Sequence, residues 1–194
     1  MLTLLNQRNA FVRRLLGWFT AAIVVGLVLV IDIQLVGAAE ALAIADFAGH
    51  FRGEAQVQAG DRFFIQQLRD AEVGVRPEPD GFRLSWNTII HYDEADKAKV
   101  RRRSAEMWFV AGPKPNQFRS VDPLEAFAEK PAAWAYIDRN TLTVHVLSIL
   151  SNGNYELQTY DRSLSGNTIT LHFSRVFPGQ PELVVSGRLQ RQPE

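Results

Sequence analysis

From Asp46 onward the chain is written in short segments whose apolar and polar residues alternate, separated by turn residues. Period two is the mark of a half-buried strand, because successive side chains of a strand point to opposite faces. In Asp46–Gln58 the residues Gly49, Phe51 and Gly53 alternate with His50, Arg52 and Glu54. Arg62 to Val75 is less regular: Phe63, Phe64 and Ile65 run together, then Ala71, Val73 and Val75 alternate with Glu72 and Gly74. Pro77-Glu78-Pro79-Asp80-Gly81 is a strong turn, after which Phe82, Leu84 and Trp86 take one face and Arg83, Ser85 and Asn87 the other. Asp93 to Arg103 is highly charged and begins as a loop; from Val100 a strand is expected, reaching Met107, Trp108, Phe109 and Val110.

The C-terminal third is the most regular part. Gly153, Gly166 and Gly179 recur every thirteen residues, each inside a turn: Ser-Asn-Gly-Asn, Ser-Gly-Asn and Pro-Gly-Gln-Pro. Between and before them lie Trp134–Ile137, then Leu142, Val144 and Val146 alternating with Thr143 and His145, then Tyr155 and Leu157 alternating with Glu156 and Gln158. Ile169, Leu171 and Phe173 follow, and the last segment carries Leu183, Val185 and Leu189. This is a meander of antiparallel strands joined by tight turns. With the N-terminal elements it makes about eight to ten strands. One apolar and one polar face per strand suits a sheet closed on itself, which also removes its edges. The fold class expected is therefore all-β, an antiparallel up-and-down β-barrel. The exception is Ala111–Lys130, punctuated by Pro113, Pro115 and Pro123, where Leu124–Ala128 suggests a turn or two of helix. A loop of that length in a compact domain is either a lid over one mouth or a stretch whose elements are misread.

Ahead of the barrel lies a different kind of sequence. Arg8, Arg13 and Arg14 precede the apolar run Leu15–Ile31, Asp32 interrupts it, and the small residues around Ala38, Ala39, Ala41 and Ala43 follow. A basic flank, an apolar core and an Ala-rich exit make a bacterial secretory signal peptide, with cleavage after Ala39 or Ala43. The run is also close to the length of a membrane-spanning helix, so an uncleaved N-terminal apolar helix acting as an anchor is the competing reading. Both divide the chain into residues 1–43, signal peptide or membrane anchor, and residues 44–194, the barrel domain. Both place the latter outside the cytoplasm, in the periplasm or otherwise exported, tethered to the inner membrane by residues 15–31 if the segment is retained.

Charge and composition remove several function classes. Basic and acidic residues number 21 each. Setting aside those of the first 43 positions leaves the barrel near neutral, so no overall field points to nucleic acid. Cysteine is absent, which excludes disulfides, thiolate catalysis and cysteine metal sites. The histidines His50, His91, His145 and His172 have no helical pair spacing and no zinc signature. His50, His145 and His172 fall on polar strand faces and read as surface residues; the sharper alternative brings His145 and His172 together on neighbouring strands to bind haem or a metal. No Gly-x-Ser-x-Gly elbow is present, and no nucleophile, base and orienter can be assembled, so no enzyme activity, metal or cofactor is expected. The basic run Lys97, Lys99, Arg101, Arg102 and Arg103 is balanced by Asp93, Glu94, Asp96 and Glu106 and reads as a solvated loop or strand, with anionic lipid headgroups as the alternative partner.

Two features resemble the lipocalin-like (calycin) superfamily of up-and-down barrels. Gly49-His50-Phe51 is similar to the glycine-x-tryptophan signature of a first lipocalin strand, with Phe51 where tryptophan stands. Arg188 and Arg191 lie where lipocalins place an arginine across that aromatic. Arg69–Thr88 and Trp134–Arg191 also look like an uncharacterised family of exported bacterial lipocalin-like proteins. The resemblance implies a barrel that binds in its mouth, without naming a ligand. The residues expected to carry binding are the aromatics of the apolar faces, Phe82, Trp86, Phe109, Trp134 and Phe173, with Phe51 and Tyr155 beside them. They either fill the interior as core or line a cavity for a small hydrophobic or amphipathic ligand. The alternative function is a structural or protein-interaction module with a filled barrel.

Overall fold

The computed structural model describes residues 41–59, 68–91, 100–121 and 131–193. The N-terminal apolar segment, the Phe63-Phe64-Ile65 run, the Asp93–Lys99 loop and the Leu124–Ala128 stretch lie outside the described residues. Ten antiparallel strands close into a barrel. They are β1 (Gly49–Ala59), β2 (Leu68–Glu78), β3 (Gly81–His91), β4 (Val100–Ala111), β5 (Gln117–Ser120), β6 (Ala132–Asp138), β7 (Thr141–Ile149), β8 (Tyr155–Ser165), β9 (Thr168–Val176) and β10 (Leu183–Arg191). Every strand pairs with its sequence neighbours, and β10 returns to β1. The up-and-down barrel expected from the alternation is the one that forms.

The turns explain the thirteen-residue spacing. Gly153, Gly166 and Gly179 have φ of +81°, +58° and +78°, the left-handed conformation that a side chain disfavours. A different glycine closes the barrel. A Cβ on Gly53 of β1 would lie 2.0 Å from the Arg188 carbonyl oxygen of β10. Gly53 opposes Leu189 and Gly187 opposes Ala55, so small residues alternate across the seam and let the two backbones approach.

The inside of the barrel is layered. Its lower end is plain core: Phe47, Phe51, Phe82, Leu84, Phe109, Leu142, Val144, Ile169 and Leu189 are all buried. Phe82 stacks on Phe109 with ring centroids 4.9 Å apart, and Phe118 of β5 meets Phe82 edge-on at 5.0 Å. A one-turn 3-10 helix, Ile44–Phe47, packs against β2 and contributes the buried Phe47, with Leu42 and Ile44 packed on the same core. Arg191 secures this cap. Its guanidinium lies 4.5 Å from the centre of the Phe51 ring. Nη2 donates to the Asp46 carbonyl at 2.9 Å, and Nη1 donates to the Ala48 carbonyl. Of the two arginines considered from the sequence, Arg191 takes this place and Arg188 is exposed.

Two elements depart from the sequence pattern. Ala111–Lys130 contains β5, whose four residues bridge β4 to β6 through Phe118 and its neighbours. The strand is too short to show a period. The phase of β8 is also the reverse of the one expected. Tyr155 and Leu157 point outward, and the inward row is Gln158, Tyr160, Arg162 and Leu164. The apolar pair near the start of β8 sits on the outer face, where Leu157 is flanked by Leu147 of β7 and Val176 of β9.

Candidate functional site

Above the packed layer the barrel opens into a cavity of about 330 Å³. It is bounded by β1–β4 on one side and β8–β10 on the other. Alternation puts every second residue of these strands on its wall: Trp86, Thr88 and Ile90 from β3, Leu171, Phe173 and Arg175 from β9, and Leu183 and Val185 from β10. Strand β4 contributes Arg101 and Arg103, β2 contributes Arg69 and Ala71, and β8 contributes Gln158 and Tyr160.

The wall has an aromatic side and a cationic side. The Tyr160 ring lies 5.5 Å from Trp86 and 4.7 Å from Phe173, so three aromatics form one tilted cluster. The Tyr160 hydroxyl donates to Gln158 Oε1 at 2.6 Å, and Gln158 Nε2 donates in turn to Glu156. Burial pushes the Tyr160 phenol up from its ordinary value; the Arg162 cation opposes that shift, Glu156 adds to it, and Arg103 opposes it. Below the ring, at 5.2 Å from its centre, sits the Arg162 guanidinium. Arg162 is 1% exposed, and its Nε and Nη1 find no hydrogen-bond partner among the described residues.

The residues expected to bind ligand divide three ways. Trp86 and Phe173 line the cavity. Phe82 and Phe109 are wholly buried beneath it and belong to the packed layer. Trp134 requires a correction of its direction: Ala133, Ala135 and Ile137 supply the buried face of β6, and Trp134 stands on the outer face, 37% exposed. There it packs on His145 at 5.0 Å, and Tyr136 meets the same imidazole at 5.9 Å. The aromatic residue drew the apolar face to the wrong parity, because alanines fill the inside of this strand. Tyr155 is outward too, for the reason given for β8.

The histidines also find their places. His50 and His172 are exposed on the outer surface, and His145 is half-buried there. Strand β8 runs between His145 and His172, with Thr159 opposite the first and Asp161 opposite the second. The alternative that joins them in one haem or metal site does not form. His145 Nδ1 is 3.1 Å from Thr159 Oγ1, and His172 Nδ1 is 3.4 Å from Ser186 Oγ. Among the described residues no cluster of three metal-ligating side chains occurs.

Sequence reading missed the cationic wall. Arg101 and Arg103, which the charge balance reads as solvated, share a parity with Phe109 and face the cavity, while Arg102 between them faces out. Arg162 and Tyr160 had a usable signal: Leu164, just before the Ser165-Gly166 turn, fixes the inward parity of the strand when it is followed backwards.

Comparison with known proteins bears on this architecture. No family model matches the chain, and no curated protein matches it. Among solved structures, an S-type phycobiliprotein lyase from Guillardia theta is similar over 79% of this chain and 94% of its own, with a TM-score of 0.50 and 10% sequence identity. This is a calycin-like barrel. The apo form of lipid binding protein 8 from Caenorhabditis elegans aligns over 78% of this chain and 99% of its own, with a TM-score of 0.36 and 9% identity. At 10% identity the likeness to the lyase is one of fold, and the barrel described here carries its own set of cavity residues.

Proposed function

We propose that the calycin-like barrel is a non-catalytic binding module of the bacterial cell envelope that takes a small hydrophobic or amphipathic ligand into its upper half. One observation carries this reading: a cavity of about 330 Å³ lies over a fully packed lower layer, walled by Trp86, Tyr160 and Phe173. A barrel filled as plain core has no such space, and pockets of about 300–1,000 Å³ with apolar walls and a few polar groups are the usual form of small-ligand sites. Export and a tether to the inner membrane are supported by the basic residues Arg8, Arg13 and Arg14 ahead of the Leu15–Ile31 run. The mass of the mature protein discriminates a cleaved signal from a retained anchor.

The binding test uses the neutral fluorophore N-phenyl-1-naphthylamine. Saturable binding at one site per chain is expected. Trp86→Ala should weaken it about tenfold, by removing one aromatic wall, while the protein keeps its cooperative unfolding. A folded protein that shows no saturable binding would remove the reading. The second reading, a protein-interaction module, is favoured by the outer cluster of Trp134, Tyr136 and His145. It expects partner capture to be lost in Trp134→Ala and fluorophore binding to be unchanged.

A further inference from the structure

The guanidinium of Arg162 is the feature of the barrel that its own contacts do not explain. It is wholly buried, yet Nε and Nη1 have no acceptor among the described residues. The adjacent carboxylate does not reach inside: Asp161 is on the outer parity and accepts a hydrogen bond from Thr143 at 2.7 Å. The Tyr160 ring gives the cation a π-face, but a π-face accepts none of its N–H groups in the plane of the fork. A buried water could accept a hydrogen bond and would leave the charge without a counter-ion. What answers a planar guanidinium best is a planar oxyanion, which takes two parallel N–H donors.

The cavity above has the matching bias. Arg69, Arg101, Arg103 and Arg175 stand on its wall, and its lining residues include no carboxylate. Arginines thus stand on the wall and below Tyr160, while the nearby carboxylate of Glu156 accepts a hydrogen bond from Gln158. The three aromatics lie between these levels and offer their faces to an apolar body. Tyr160 separates the cavity from Arg162, and its ring is held by the hydrogen bond of its hydroxyl to Gln158. A ligand group that reaches Arg162 from the cavity therefore has to displace this one side chain.

We propose that the cavity binds an amphipathic carboxylate whose acid group is held by Arg162 at the base of the cavity, beside Tyr160, with its apolar body against Trp86 and Phe173. This assignment rests on the binding reading above and adds the chemical class of the ligand and the residue that selects it.

The test compares decanoate with 1-decanol, which have chains of equal length, as displacers of N-phenyl-1-naphthylamine. Decanoate should displace the fluorophore from the wild-type protein at a concentration roughly tenfold lower than 1-decanol. Arg162→Met should bring the two to near parity by weakening decanoate and leaving 1-decanol as it was. Arg162→Lys should retain a preference for the acid, and the double variant Arg101→Gln/Arg103→Gln should retain most of it. Equal displacement by the wild type overturns the proposal. So does a preference that survives Arg162→Met, or one that disappears in the Arg101/Arg103 variant, which would put the acid at the mouth. A protein that binds neither the fluorophore nor either displacer fails the binding reading itself and is thereby told apart. Should Arg162→Met not fold, the carboxyl resonance of carbon-13-labelled decanoate bound to the wild type decides the matter. Beside the guanidinium it should stay ionised to a lower pH than free decanoate; titration like the free acid overturns the assignment.

Discussion

Arg162 and His145 show how the same physical effect reads differently inside and outside one barrel. Burial lowers the Arg162 pKa from the ordinary arginine value to about 10, and the nearby Tyr160 and Asp161 pull it back only in part. Between those two values the unfolded chain holds a proton that the folded one has lost, so stability rises with pH there. At every lower pH the cost of the buried charge is present in full. Replacing the cation by an apolar group of similar length therefore helps the ligand-free protein. Arg162→Met is expected to raise its stability by roughly 1–3 kcal/mol, read as a higher urea midpoint with an unchanged slope. A fall of that size would mean that the guanidinium is already answered without ligand. His145 is a surface case: burial beside Trp134 lowers its pKa below 6.5, against the attraction of Asp161. Its folded state resists protonation, so the stability it contributes is present above pH 6.5 and is lost as pH falls toward and through its folded pKa. Urea unfolding between pH 7.5 and 5 should show that decline, and His145→Gln should flatten it.

At the scale of strands, legibility followed the amount of one-sided burial. Strands β3, β7 and β9 keep one apolar row, Phe82-Leu84-Trp86, Leu142-Val144-Val146 and Ile169-Leu171-Phe173, and the sequence reads them correctly to the residue. Strand β8 does not, because its inner row is polar where it lines the cavity and its outer row is apolar where Leu157 packs beside Leu147 and Val176. Period two gives the alternation but not which parity faces in. Hydropathy thus hides the strand that brings Gln158 and Tyr160 to the cavity and Arg162 beneath it, and β5 is hidden because four residues carry no period. The two interior layers respond differently to truncation. Phe109→Ala opens a void in the stacked lower layer and should cost roughly 3–5 kcal/mol by urea unfolding. Trp86→Ala borders existing space, so it should cost distinctly less while weakening ligand. At the β1–β10 seam, a Cβ on Gly53 meets a backbone carbonyl. Gly53→Ala should therefore destabilise by several kcal/mol, more than Gly166→Ala, whose site is open and whose left-handed φ costs about 1–2 kcal/mol.

The described residues form a barrel closed at one end and open toward the other, and each end is arranged by a few residues. The lower end is sealed by Phe47 and by Arg191, which joins the last strand to the segment preceding the first. Circular closure gives each strand two neighbours, so the long meander has its first and last strands held together as firmly as any hairpin. Arg191→Lys keeps the charge but not the fork that reaches two carbonyls while lying over Phe51. Hydrogen exchange at the Asp46 and Ala48 amides, which donate to Ala43 and Ala45, should accelerate in that variant, while exchange in β3 is unchanged.

Closure through β5 is brief. It meets β4 at Phe109, Val110 and Ala111, and above Trp108 the other edge of β4 has no strand partner among the described residues. That edge is the stretch that carries Arg101, Arg102 and Arg103 in succession. An unpaired edge is a template for a second molecule, and an antiparallel copy centred on this stretch would set arginine against arginine. The outward Arg102 of this triplet is therefore expected to oppose such pairing. Arg102→Val leaves the cavity-facing pair in place and removes the central outward charge. Sedimentation should show self-association in this variant at concentrations where the wild type stays monodisperse, and raising the salt should bring the wild type toward the variant by screening its charges.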